Sequence, residues 1–158
     1  MDASLLSFNF IRFCEWLCGD NELTEIRYYI GAVRRQKNSK SEELYNNQQR
    51  LFYKLQRQNI KIILGQLIQH KDKSYHEKGV DVRLSVEMIR LARQGKYDTA
   101  YLLSSDTDLV PAVEEVLSLG KEVKYIGVED SQSFGLSKTT KNYLILRQGE
   151  VNQFFDGK

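Results

Sequence analysis

The fold is decided by one stretch in the second half of the chain, residues 99–126, which read TAYLLSSDTDLVPAVEEVLSLGKEVKYI. The apolar run from Thr99 to Leu103 predicts a buried strand. Leu109 to Leu119 has the apolar spacing of a helix and stops at Gly120, and Glu122 to Ile126 predicts the next strand. A strand, a helix and a second strand in this order form a crossover between two parallel strands.

The same alternation of strands and helices runs through the rest of the chain. Further strands are predicted at Ile26 to Ile30, Ile60 to Leu64 and Tyr143 to Leu146. Further helices are predicted at Asn9 to Cys18, Ser41 to Gln58, Asp81 to Gln94 and Glu150 to Phe155. Ser41 is expected to cap the second of these helices. Val82, Val86 and Ile89 are expected to face inward on the third. We therefore expect one α/β domain over residues 1–158, a three-layer Rossmann-like fold whose mostly parallel sheet of about five strands carries helices on both faces.

Composition excludes several classes of protein. The chain has 158 residues, of which 41% are hydrophobic and 28% charged, values typical of globular proteins rather than disordered chains. Its apolar runs are far shorter than the roughly 18 residues that span a bilayer, so no membrane partner is expected. The two cysteines, Cys14 and Cys18, are expected to be reduced thiols, and with no leader evident we expect a cytoplasmic location.

Positive charge is concentrated in one segment, residues 34–61. This segment has a net charge of +6, whereas the whole chain has +2 and the remainder therefore −4. Its basic residues are Arg34, Arg35, Lys37, Lys40, Arg50, Lys54, Arg57 and Lys61. Two interpretations stay open, a solvated helix face and a surface that binds phosphates.

Two carboxylates follow the strand at residues 99–103, in the sequence Ser104-Ser105-Asp106-Thr107-Asp108. Asp108 could cap the helix that begins near Leu109, but that explanation leaves Asp106 unaccounted for. In parallel sheets, functional residues lie just beyond the carboxyl ends of the strands. A cluster of oxygen atoms at that position is what a hard divalent cation requires.

A third carboxylate opens the preceding helix, in the sequence Lys78-Gly79-Val80-Asp81. An aspartate at a helix start is often structural, yet with Asp106 and Asp108 it would complete a set of three. Three carboxylates suffice to hold one or two Mg²⁺ or Mn²⁺ ions and leave coordination sites for phosphate and water.

Residues 78–128 resemble the NYN domain, a branch of the PIN-like metal-dependent ribonucleases. The family's K-G-V-D motif matches Lys78 to Asp81, and its S-G-D-S-D-F motif matches Ser104 to Leu109, with Ser105 and Thr107 replacing a glycine and a serine. A later S-x-x-L motif matches Ser133 to Leu136, and RYYIGAVR at Arg27 to Arg34 resembles the family's second strand. The resemblance implies a PIN-like fold over nearly the whole chain.

One departure from the family concerns its first strand, which ends in a metal-binding aspartate within D-x-S-N. This sequence begins Met1-Asp2-Ala3-Ser4, with Leu5 where asparagine is expected and no strand before Asp2. Either the first strand is absent, which is the alternative we expect, or Asp2 is an imperfect remnant of it and a tentative metal ligand. Because the strand is central in the family's sheet, its absence would expose two strand edges.

The resemblance implies a divalent-metal-dependent endoribonuclease that hydrolyses RNA phosphodiester bonds with metal-activated water. Asp81, Asp106 and Asp108 would bind the metal and act in catalysis. The residues expected to bind substrate are Lys78, Ser104, Thr107, Arg34, Arg35 and Lys37. RNA is the expected partner, and a homodimer is left open.

Two other functions remain open at this point. One is a degenerate module of this family that binds RNA or protein without cleaving, which the imperfect first motif favours. The other is a phosphohydrolase of the haloacid dehalogenase type, because Asp106 to Val110 satisfies that class's D-x-D-x-[T/V] motif, with Lys121 and Glu129-Asp130 as its remaining partners. Tyr28, Tyr29 and Tyr75 could stack on bases or belong to the core.

Overall fold

Helices and strands alternate throughout the computed structural model, which describes residues 3–33, 39–69 and 75–155. The strands are β1 (Arg27–Ile30), β2 (Lys61–Leu64), β3 (Gln66–Gln69), β4 (Tyr75–Lys78), β5 (Thr99–Leu103), β6 (Glu122–Val128) and β7 (Tyr143–Leu146). The helices are α1 (Phe10–Cys18), α2 (Ser39–Arg57), α3 (Val80–Arg93), α4 (Val110–Ser118), α5 (Phe134–Thr140) and α6 (Gln148–Asn152), with short 3₁₀ helices at Ala3–Ser7 and Thr107–Leu109.

Parallel pairing dominates the sheets, and the predicted α/β class is confirmed. Strands β5, β6 and β7 form a parallel three-stranded sheet in that order, and β1 and β2 form a parallel pair. Strands β3 and β4 form an antiparallel hairpin that sequence periodicity did not reveal. The chain divides into two units, Met1–Val80 with Phe154–Lys158, and Asp81–Gln153, so the expectation of one domain over residues 1–158 stays a prediction.

The unit Asp81–Gln153 is built around the three-stranded sheet. Alternate residues of β6, Val123 and Tyr125, are 1% and 0% exposed, and they pack with Val113 and Val116 of α4. Helix α4 connects β5 to β6, and α5 connects β6 to β7, so each crossover places a helix between parallel neighbours. This arrangement brings the carboxyl ends of β5, β6 and β7 to one edge of the sheet.

The predicted bounds of β5 and β7 are confirmed to the residue, but β5 is not the buried strand that its composition suggested. Leu102 is buried, whereas Leu103 is 53% exposed. Strand β5 has one hydrogen-bonded neighbour in the described part of the chain, β6, and an edge strand buries less of its surface than a central one. Ser41 also differs from expectation, because α2 begins at Ser39 and Ser41 lies in its first turn rather than at the cap.

The predicted inward face of α3 is wrong at two of its three positions. Val82 and Val86 are 61% and 53% exposed, while Glu87 and Met88 are buried and Ile89 packs against the core. The buried carboxylate of Glu87 is paired on its own helix. Arg83 Nε lies 2.8 Å and Arg90 3.4 Å from Glu87 Oε1.

The unit Met1–Val80 with Phe154–Lys158 is held together by aromatic packing. The ring of Phe8 contacts the rings of Phe10, Phe13 and Phe154, with centroids 4.9–6.2 Å apart. Asn9 caps α1, since its side chain accepts a hydrogen bond from the Arg12 N–H at 3.0 Å. The first helix thus begins at Phe10, one residue after its predicted start at Asn9, and ends at Cys18 as predicted.

The two cysteines of α1 are free thiols, as predicted. Burial raises the pKa of Cys14 to about 11, helped by the neighbouring Cys18 and Glu15. The Cys14 thiol is therefore protonated and unreactive at neutral pH. Among the helices that the structure describes, none combines the length and apolarity needed to cross a membrane.

Candidate functional site

The segment that follows β5 carries the two carboxylates and is held by short-range hydrogen bonds. The Asp106 N–H donates to Ser104 Oγ at 3.1 Å, and the Asp108 N–H donates to Asp106 Oδ1 at 2.9 Å. Leu109, which is 2% exposed, anchors the end of the segment in the core. We call residues Ser104–Leu109 the carboxylate loop.

The two aspartates of the carboxylate loop have different local roles. Asp106 is the N-cap of the 3₁₀ helix Thr107–Leu109 through its bond to the Asp108 N–H. Helix α4 begins after Leu109 with no side-chain cap and with Pro111 in its first turn. The suggestion that Asp108 caps this helix is therefore wrong, and a cap explains Asp106 instead. The exposed carboxylate of Asp108 has no local structural task in the described residues.

The start of α5 supports the carboxylate loop from the side. Ser133, 3% exposed, is the N-cap of α5, and its hydroxyl shares a hydrogen bond of 2.9 Å with Thr107 Oγ1. The Ser133 N–H donates to the hydroxyl of buried Tyr125 at 2.7 Å. A Cβ on Gly135 would lie 2.7 Å from Thr107 Cγ2, so the two segments are in close contact.

Sequence reasoning did not assign Ser133, Tyr125 or Gly135 to the site. Of the three, Ser133 carried a usable signal, because a serine three residues before Leu136 fits an N-cap. The hydroxyl of Tyr125 and the missing Cβ of Gly135 matter only through residues brought together by the fold. They carry no local pattern.

The charges of the carboxylate loop fit a hard divalent cation. Asp106 and Asp108 supply carboxylate oxygens, and among the described residues no lysine or arginine forms an ion pair with either. Mg²⁺ is usually held by one or two protein carboxylates, with water and substrate phosphate as the other ligands. The loop offers two such carboxylates.

Asp81 lies in the first turn of α3 and is exposed. Within residues 3–33, 39–69 and 75–155, no three His, Cys, Asp or Glu side chains are grouped so that they could hold a metal ion. The arrangement that the described loop offers is thus the pair Asp106–Asp108. The assignment of Asp81 as a third ligand stays a prediction.

The residues expected to bind substrate fall into two groups. Ser104 and Thr107 belong to the carboxylate loop, and their hydroxyls are engaged in it, with the Asp106 N–H and with Ser133 Oγ. The other four residues, and the tentative metal ligand Asp2, lie outside the described residues or have side chains outside them. They are Asp2, Arg34, Arg35, Lys37 and Lys78, and their roles stay predictions.

Several cations of the basic segment already have partners within the chain. Lys54 Nζ donates to the Leu6 carbonyl at 2.9 Å, Lys61 pairs with Glu25, and the Arg57 guanidinium lies 5.9 Å from the centre of the Tyr53 ring. Some of the basic residues in the described part of this segment therefore stabilise the fold in addition to carrying positive charge.

Of the tyrosines considered for stacking, Tyr28 is half-buried. Its ring packs edge-on against Phe10 with a centroid distance of 5.7 Å, and burial raises its pKa. This contact gives Tyr28 a structural role in the packing of β1 against α1.

The position of Lys121 excludes it as the lysine of a haloacid dehalogenase-type site. Lys121 precedes β6 and pairs at 2.7 Å with Asp98, which precedes β5. Both residues therefore lie at the amino ends of the parallel strands, whereas the carboxylate loop follows the carboxyl end of β5. Lys121 cannot serve the D-x-D motif from the opposite edge of the sheet.

Comparison with known proteins gives the family and the fold. The family model described as NYN domain matches residues 2–146. A crystal structure of a protein of unknown function from Vibrio parahaemolyticus is similar to this chain, with a TM-score of 0.64 and 20% identity over 89% of this chain and 80% of that one. That likeness shows the fold. A search of curated proteins gave no match.

Proposed function

We propose that this chain, which belongs to the NYN domain family, is a divalent-metal-dependent endoribonuclease that hydrolyses RNA phosphodiester bonds. The observation that carries the proposal is the pair Asp106 and Asp108 beyond the carboxyl end of β5. One of the two, Asp108, is exposed and free of any capping role. Family membership supports a nuclease-type fold, and the carboxylate pair supports the metal chemistry.

The residues of the carboxylate loop would have distinct tasks. A bound Mg²⁺ or Mn²⁺ supplies a Lewis acid for the phosphodiester and lowers the pKa of its coordinated water. Asp106 and Asp108 would hold the ion, with Asp81 as the candidate third ligand. Ser104 and the Thr107–Ser133 hydroxyl pair fix the loop, so that little reorganisation is needed when charge develops at the phosphate.

RNA as the substrate is supported by the basic segment at residues 34–61, whose net charge is +6. Arg34, Arg35 and Lys37 of this segment, together with Lys78 outside it, are the proposed phosphate contacts, and binding should then weaken steeply as salt rises. The free thiols of α1 favour a reducing compartment, which supports a cytoplasmic location.

The proposal is tested by cleavage of labelled single-stranded and hairpin RNA with Mg²⁺, with Mn²⁺ or with EDTA. We expect internal cleavage that requires the metal. Asp106→Asn and Asp108→Asn each remove a charge while keeping shape, and each should lower the rate by more than about 100-fold, the upper end of what loss of an outer-shell partner costs.

The matched control is Glu114→Gln, because Glu114 is an exposed carboxylate on α4, close in sequence but outside the loop. This variant should cleave at the wild-type rate. Full metal-dependent cleavage by the Asp108→Asn variant would refute the proposed site, and cleavage that persists in EDTA would refute the metal requirement.

A second function, RNA binding without cleavage, is favoured by one observation. In the described parts of the chain the carboxylate loop offers two carboxylates rather than a group of three. This module would bind RNA with the salt dependence expected above, yet show no cleavage at any metal concentration. The same assay therefore separates the two functions.

A further inference from the structure

The most exposed large apolar side chain among the described residues lies beside the carboxylate loop. Phe134, the first residue of α5, is 78% exposed. Burying a phenylalanine side chain stabilises a protein relative to leaving it in water. The exposed ring of Phe134 adds little of this stabilisation to the fold and is accessible to a ligand.

Phe134 is fixed in position although its ring is exposed. The residue before it, Ser133, is bonded to Thr107 Oγ1 and to the Tyr125 hydroxyl, and the residue after it, Gly135, has space for no Cβ against Thr107. The backbone on both sides of Phe134 is thus held against the 3₁₀ helix that contains Asp108. The backbone that carries the ring is thus fixed against Thr107, the residue between the two proposed metal ligands.

A cation lies on the same face of the helix. Lys138 is four residues after Phe134 on α5 and is exposed. Residues four apart are neighbours on a helix surface. A flat apolar ring and an ammonium group side by side match the two parts of a nucleotide, the base and its phosphate.

We propose that Phe134 and Lys138 form a subsite for one unpaired nucleotide of single-stranded RNA, with the base stacked on the Phe134 ring and a flanking phosphate paired with Lys138. A phenylalanine ring has no hydrogen-bonding group, so this subsite accepts any base. The base must be unpaired, because a base within a duplex has both faces covered. The inference rests on the proposed function and specifies its substrate, single-stranded RNA or a loop.

The test is binding of a fluorescently labelled single-stranded RNA, followed by anisotropy in the presence of EDTA, where no cleavage intervenes. Loss of a stacked base costs roughly 1–3 kcal/mol, so Phe134→Ala should weaken binding about 5- to 140-fold. Phe134→Trp should bind at least as well as wild type. Phe134→Leu, which is apolar but not flat, should be nearly as weak as the alanine variant.

Abasic substitution along the oligonucleotide provides the second half of the test. At one position, loss of the base should weaken wild-type binding and leave Phe134→Ala binding unchanged. For Lys138→Gln, the slope of log K against log salt should be smaller by about 0.7, the value for one phosphate contact on a single strand. Tyr143→Ala is the control, since Tyr143 is 55% exposed and begins β7, at the opposite edge of the sheet.

Each outcome decides between alternatives. Wild-type binding by Phe134→Ala, or by Phe134→Leu, would overturn the stacking subsite even if the protein cleaves RNA. Phe134-dependent binding without metal-dependent cleavage would uphold the subsite and refute the nuclease. If Phe134→Ala instead dissociates a dimer, measured by light scattering, and leaves RNA binding unchanged, the face is a protein contact and the inference is wrong.

Discussion

Two aspartates that look equivalent in the sequence SSDTDL are different in the structure. The carboxylate of Asp106 accepts the N–H of Asp108, whereas that of Asp108 is exposed and caps nothing. The sequence indicated that one aspartate has a capping role, but it suggested the wrong one. A cap depends on where the first helical turn begins, and here a 3₁₀ turn precedes α4.

This difference predicts the stability of variants in the carboxylate loop. Asp106→Ala removes an N-cap acceptor and should lower the free energy of unfolding by about 1 kcal/mol, while Asp106→Asn keeps the acceptor and should cost only a few tenths. Asp108→Ala should stay within about 0.5 kcal/mol of wild type. Urea unfolding in EDTA measures all three, and an Asp108→Ala loss as large as that of Asp106→Ala would contradict the assignment.

The roles of the residues that support the site could not be predicted from local sequence. Ser133 has a cap signal, but its bond to Thr107 joins residues 26 positions apart. Nothing in the sequence around Phe134 indicates that its side chain is exposed. Only the position of α5 against the carboxylate loop gives these residues their roles.

At the scale of elements, helix α3 shows why periodicity alone can choose the wrong face. Val82 and Val86 form one apolar row, and Leu84, Met88 and Ala92 form another. Contacts with core residues of β5 and α4 determine which row is buried. The buried row is that of Leu84, Met88 and Ala92. Glu87, on the buried side, is tolerated there because Arg83 and Arg90 pair with it.

The pair β1–β2 carries a surface ion cluster whose effect on stability depends on pH. Glu25 bonds to Arg27 and to Lys61, which are direct partners in the strand register. Desolvation raises the pKa of Glu25, but the hydrogen bonds and charges of Lys61 and Arg27 outweigh it, so the pKa is lowered. The stabilisation is therefore present above the ordinary glutamate pKa and is lost as the pH falls through the lowered one.

Glu25→Gln should accordingly lower the free energy of unfolding by about 0.2–1 kcal/mol at pH 7, the usual range for an exposed ion pair. The difference from wild type should disappear in acid, once the carboxyl group is protonated. Thermal unfolding at a series of pH values measures it, with the exposed Glu22→Gln as the control. A difference that persists unchanged in acid would exclude the ion cluster as its cause.

At the scale of the whole molecule, the fold class was predictable because strands and helices alternate with clear boundaries. Strands β5 and β7 were predicted to the residue, since an apolar run with polar neighbours leaves little freedom. The hairpin β3–β4 was not, because QLIQ and YHEK lack a strand's apolar alternation. The division of the parallel strands into sheets of two and three depends on long-range pairing, which local patterns do not encode.

The carboxylate pair was predictable for a different reason. Residues beyond the carboxyl ends of parallel strands gather at one edge of the sheet, so the motif and the topology together identified Asp106 and Asp108. The position of the candidate site therefore depends on the order and direction of the strands as well as on the sequence of the loop. The central claim of the proposal is that these two carboxylates bind a divalent metal ion.

The most direct test of that claim is the RNA cleavage rate measured as a function of Mn²⁺ concentration for wild type, Asp108→Asn and Glu114→Gln. If Asp108 binds the ion, removing its charge shifts the half-maximal Mn²⁺ concentration upward, by more than about tenfold, while Glu114→Gln follows the wild-type curve. A wild-type curve for Asp108→Asn, in both midpoint and maximum, would show that the exposed carboxylate does not bind the metal and would contradict the account.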